Sequence, residues 1–149
     1  MSQHYDHLTV KFIIKFDQHQ YVIMKINNIE VVMAPILRYM LEAHNELFSL
    51  TMSHDETSLV TTRERAMKIT AMSENAAVSP DIIYNIITFD TDVPSLMLCG
   101  VLERIIRKFA CKQIAIVTMS TYEKNYIMFN SNDLDRVKEL VSDDRDFIA

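Results

Sequence analysis

A single glycine, Gly100, stands in a chain of 149 residues. Phosphate-cradling loops need close backbone approach and left-handed turns that only glycine supplies cheaply, so nucleotide chemistry on such a loop is excluded. Tryptophan is absent and methionine occurs ten times, which points to an adaptable interior, the default reading, or to a plastic contact surface, since the thioether is flexible and polarizable. The only cysteines, Cys99 and Cys111, stand inside apolar runs without metal-type spacing. A reduced intracellular compartment, with no disulfide between them, is therefore expected. No run approaches the roughly 20 apolar residues of a membrane span. The N terminus, with His4, Asp6 and His7, lacks a charged-then-apolar signal pattern. These features predict a soluble cytoplasmic or nuclear protein with no membrane partner.

Excess positive charge is also missing. A net charge of −5 and a pI near 5.5 argue against nucleic acid, because phosphate backbones are held by clustered Lys and Arg. One basic cluster exists, Arg104, Arg107, Lys108 and Lys112. It reads as a solvated helix face with cations favourably placed toward the helix C terminus, in preference to a phosphate site.

Catalytic groupings are equally scarce. His4, His7, His19, His44 and His54 have no Cys or His partner at finger-like spacing, so no metal site is expected. Cys99 has no neighbouring histidine to activate it and reads as a buried structural thiol. The carboxylates are scattered over polar stretches with no pair that would separate their proton affinities. The sequence thus predicts no catalytic residues, no cofactor and no enzyme.

With 49% hydrophobic and 23% charged residues, the chain falls among globular sequences of one-domain size, 1–149. Phe12 to Met24 holds two strand-like runs around a polar break at Asp17 to Gln20, the pattern of a β-hairpin. Apolar residues from Ile29 to Leu41 recur at helical spacing, and Pro35, favoured in a first turn, predicts a helix over Pro35 to His44. His44 to Thr62 is polar and reads as a loop, followed by a short helix through Ala66, Ile69 and Met72. A strand is expected over Ile86 to Phe89, a helix over Ser95 to Phe109, a second hairpin from Gln113 to Ser120 and Tyr126 to Phe129, and a closing helix over Asp133 to Asp144.

Several of these segments resemble the adaptor elongin C and its BTB/POZ relatives. Asp17, His19 and Tyr21 match the turn of the family's opening hairpin, although Gln18 replaces the turn glycine. Leu37-Arg38-Tyr39-Met40-Leu41 resembles the end of its first helix. Phe89 to Ser95, followed by Leu98, Val101 and Ile105, is similar to its Phe-x-x-Ile-Pro-Ser run, and Phe129, a helix and Phe147 are similar to its C terminus. The resemblance implies an α+β BTB/POZ (elongin C/Skp-like) fold, a small sheet packed by helices, with residues 43–85 as an insertion.

Its functional implication is a non-enzymatic adaptor that bridges a helical receptor motif to a larger assembly, a cullin-RING ubiquitin ligase in the family's case, with an elongin B-like protein on the sheet. A BTB-type scaffold that self-associates as a homodimer, or joins a complex unrelated to ubiquitin, is the alternative. Carried over by position, Phe129, Leu140 and Phe147, with Arg104 where the family has an aromatic, would form the receptor groove. Phe89, Val93 and Pro94 would lie at the cullin-facing edge.

Overall fold

The computed structural model describes residues 11–72, 74–78, 81–91 and 100–149. The chain divides into two compact units, one made of the residues up to Gln18 together with Asn85–Ala149, the other of His19–Tyr84. In sequence, the second is therefore inserted between the two segments of the first.

The inner unit runs strand β2 (Tyr21–Ile26), helix α1 (Ile29–Glu42), strands β3 (Ser49–Met52) and β4 (Thr57–Thr62), helix α2 (Arg63–Met72) and strand β5 (Ala77–Val78). Its strand order is β3-β4-β2-β5 with antiparallel neighbours, the split β-α-β arrangement. In β2, alternate residues Val22, Met24 and Ile26 enter the core, where they meet Leu59 of β4, Val32 and Ile36 of α1, and Ala66 and Ile69 of α2. These are the period of two and the three-to-four spacing that the elements require. Before β5, Asn75 takes φ 68°, a left-handed position that asparagine tolerates. That turn lets the Ala76 carbonyl accept from the backbone N–H groups of Asn27 and Asn28.

The outer unit consists of β1 (Phe12–Phe16), β6 (Tyr84–Thr91), α3 (Val101–Cys111), β7 (Ile116–Ser120), β8 (Asn125–Asn130), α4 (Leu134–Asp143) and β9 (Phe147–Ile148). From β6 onward it repeats the strand-helix-strand-strand-helix-strand order, and β1 lies between β6 and β9, giving β7-β8-β6-β1-β9. Phe12 opposes Thr91 in an antiparallel ladder on one side and Phe147 in a parallel one on the other. Its core gathers Phe12, Ile87, Phe89, Ile127, Phe129 and Phe147 from the strands, Ile105 and Phe109 from α3, and Val137 and Leu140 from α4.

Three expectations are corrected. The runs Phe12–Phe16 and Tyr21–Ile26 do form strands, but they do not make a hairpin: β1 pairs with β6 and β9, and β2 pairs with β4 and β5. The chain passes from one unit to the other at the polar break, which carries no glycine for a tight left-handed turn. Helix α1 starts at Ile29, so Pro35 sits inside it; this costs the Val31 carbonyl its helical donor, while Val32 and Ile36 still reach the core. Residues 43–85 are not an insertion into a BTB-like sheet, because the polar stretch supplies the β3–β4 hairpin and the whole span supplies most of the inner unit. The helices α2 and α4 and the β7–β8 hairpin lie where the sequence predicts them. Helix α3 does so from Val101, and the expected start at Ser95 and the thiol of Cys99 lie outside the described residues.

The end of α3 shows why it stops where it does. Gln113 has φ 55°, its N–H donates to the Ala110 carbonyl, and the Ile114 N–H donates to the Phe109 carbonyl. That is a Schellman motif, and its usual apolar contact is supplied by Ile114 and Phe109 in the same core. A glutamine in the left-handed position carries a cost that glycine does not. Gln113→Gly is expected to stabilise the protein by about 1 kcal/mol, read as a higher urea midpoint with an unchanged slope.

Candidate functional site

Helix α3 is amphipathic: Val101, Ile105 and Phe109 are buried, and its other side carries Glu103, Arg104, Arg107, Lys108 and Cys111. Gly100, which precedes it, takes φ 80°, the one place where the single glycine is needed for its backbone. Between this polar side, the end of α4 and the turn into β9 lies a cleft of about 420 Å³, lined by those five residues with Lys112, Leu140, Asp144 and Asp146. This falls within the usual size range of small-molecule sites.

The charges in the cleft are ordered. Lys108 Nζ donates to Asp144 Oδ2 at 2.7 Å and to Asp146 Oδ2 at 2.8 Å, and lies 5.4 Å from the centre of the Phe147 ring. Burial pushes the Lys108 ammonium down, but hydrogen bonds to Asp144 and Asp146 outweigh it and hold it above the ordinary lysine value. Burial likewise pushes Asp144 up, while Lys108 and the Asp146 N–H, which donates to Asp144 Oδ1 at 2.9 Å, hold it below the usual carboxylate range. Arg104 stacks 5.8 Å from the Phe12 ring centre and stands 3.9 Å from Asp146. Arg107 Nε donates to Glu103 at 2.6 Å across one helical turn. Cys111 is a free, exposed thiol.

A second ionic cluster belongs to the inner unit. Arg65 grips Glu46 with Nε at 3.0 Å and Nη2 at 3.2 Å, reaches Glu42 with Nη1 at 3.3 Å, and lies 5.2 Å from the Tyr39 ring centre. The Arg65 hydrogen bonds hold Glu46 below the carboxylate range. The cluster ties the end of α1 and the following loop to the start of α2, a structural clamp. Among the described residues no three His, Cys, Asp or Glu side chains converge to hold a metal, and no helix is long and apolar enough to cross a membrane.

Of the residues predicted for a receptor groove, Phe129, Leu140 and Phe147 meet in one buried core, with Leu140 also reaching the cleft beside Arg104. Phe89 is buried in that same core. Val93 and Pro94 lie outside the described residues. Sequence reading took Lys108 and Lys112 as part of a solvated face in preference to a phosphate site, and gave Asp144 no cationic partner. Nothing local signals that Lys108 meets carboxylates 36 and 38 positions away.

No family model matches the sequence, and no curated protein matches it. The fold, however, is shared with solved structures. A protein of unknown function from Vibrio cholerae, described as a possible transport protein, superposes with TM-score 0.65 at 14% identity over 87% of each chain. A protein from Agrobacterium tumefaciens gives 0.62 at 18% identity over 89% of this chain and 87% of that one. The ligand-free regulatory subunit of aspartate kinase from Thermus thermophilus gives 0.60 at 8% identity over 91% and 97%. The fold is thus shared with these structures, one of them a regulatory subunit of aspartate kinase. The BTB/POZ, elongin C-like and Skp-like assignment is overturned, and with it the adaptor role in a ubiquitin ligase and the cullin, elongin B and receptor-helix partners that rested on it. The likeness that misled lay in short apolar runs whose strands pair with other neighbours here.

Two stability measurements check these clusters. The depressed Asp144 contributes fully above the ordinary carboxylate value and loses its contribution as pH falls through its lowered one. The raised Lys108 contributes below the ordinary lysine value and loses it as pH rises past its elevated one. The contribution of this pair should therefore hold level between the ordinary carboxylate and lysine ranges, and Asp144→Asn should lower stability there by about 1–3 kcal/mol and flatten the acid limb in urea titrations. Arg65→Lys, which keeps the charge but loses the paired geometry, should cost about 1–2 kcal/mol by the same measurement.

Proposed function

We propose that this chain is a non-enzymatic regulatory module that binds a small-molecule effector and acts through the change that binding makes in its stability or partner contacts. One observation carries the reading: the shared fold extends over 91% of this chain and 97% of a regulatory subunit of aspartate kinase whose structure is described as ligand-free, so the likeness takes in both repeated units. A cleft of ligand size with an ordered set of charges is in keeping with it. The free, exposed Cys111 thiol suits an intracellular setting.

Binding to the folded state alone raises its stability, by about 2.7 kcal/mol when the ligand is at 100 times its Kd. Thermal unfolding of the intact chain against a panel of free amino acids, nucleotides and organic acids should pick out one chemical class that raises the midpoint in a concentration-dependent way. A panel that leaves the midpoint unmoved, or turnover of any member, would overturn the reading.

A further inference from the structure

The cleft along α3 has unequal numbers of satisfied donors and acceptors. Each of its three carboxylates already accepts from a cation of the cleft: Glu103 from Arg107, and Asp144 and Asp146 from Lys108. The donors are less fully used. The Lys112 ammonium makes no ion pair among the described residues, and Arg104 has only a 3.9 Å approach to Asp146. Arg107 commits one edge of its guanidinium to Glu103, leaving further N–H groups of its five free to donate. Four cations against three carboxylates leave the cleft net positive in a chain whose total charge is −5. Beneath these heads the lining is aliphatic, with Leu140 and the stems of Arg and Lys side chains.

From this we infer that the α3 cleft binds a small amphipathic organic oxyanion, its head on Lys112 and the outer guanidinium edges and its apolar body along Leu140. A cation would meet carboxylates that are already engaged, whereas an oxyanion meets donors that are not. Carboxylate and phosphate heads share this chemistry. The inference rests on the regulatory reading and gives its effector a class and a seat.

Cys111 lines the same cleft, so its alkylation reports occupancy. The intact chain is treated with iodoacetamide, and modification of Cys111 is followed peptide by peptide in the presence of hexanoate, hexyl phosphate, inorganic phosphate or hexylammonium. The expected result is protection by hexanoate or hexyl phosphate, whose relative strength identifies the preferred head, and none by hexylammonium. Lys112→Glu, and more weakly Lys112→Ala, should raise the probe concentration needed by about tenfold or more, and Lys112→Ala, which places no anion at the helix C terminus, should do so with little change in the urea midpoint. Equal protection by hexylammonium, or protection that survives Lys112→Glu, would overturn the inference. So would a panel effector that raises the thermal midpoint without protecting Cys111, an outcome that leaves the regulatory reading standing. Failure of every compound in both assays would remove the two together.

Discussion

The outer unit depends on where Phe12 sits. Its ring is fully buried and meets Phe89 and Phe147 edge-on at centroid separations of 6.2 and 5.8 Å, and its N–H donates to the Asp146 carbonyl at 2.7 Å. A strand from near the start of the chain thereby separates β6 from the strand that ends the chain. Without this wedge the parallel register of Phe12 with Phe147 disappears, and Asp146 is no longer fixed beside Lys108. The charge arrangement of the cleft is in this sense a product of the sheet beneath it.

The two ionic clusters use the same physics for different ends. Arg65 presents a planar fork to Glu46 while its flat face rests on Tyr39, which suits a clamp that must keep its geometry. Lys108 is a compact point charge reached by two aspartates from one turn, which suits pinning a bend between α4 and β9. Both are largely withdrawn from water, with side-chain exposures of 13% for Arg65 and 19% for Lys108. They therefore hold where an exposed pair such as Glu64 with Lys68 would contribute little.

Local signals were legible and long-range ones were not. Apolar spacing located α2, α4 and most of α3, and β-branched runs located β7 and β8, because those patterns come from each element burying its own side. The β3–β4 hairpin was hidden because Thr51, Ser53, Asp55 and Thr57 look like loop residues; only Leu59, Thr61 and Thr62 of that region are buried. Pro35 misplaced the start of α1, since a preference for first turns outweighed an apolar stripe that already began at Ile29. Strand pairing was invisible for a different reason: adjacency in sequence suggested that β1 joins β2, whereas the partner of β1 lies beyond the whole inner unit. Of the cleft, its cations were readable as a set and its acidic partners were not.

The nested layout has a kinetic side. Asp17 N–H donates to the Ile86 carbonyl and Phe16 faces Ile87, so the two strands that flank residues 19–84 would zip together as a simple ribbon if that span were short. As the polypeptide stands, a random coil of that length must be closed before the first rung can form, with an entropic toll that grows with span. Condensation of residues 19–84 into their own core shortens the effective span. Early assembly of the middle of the polypeptide would lower the chain-entropy cost of joining the segments on either side of it.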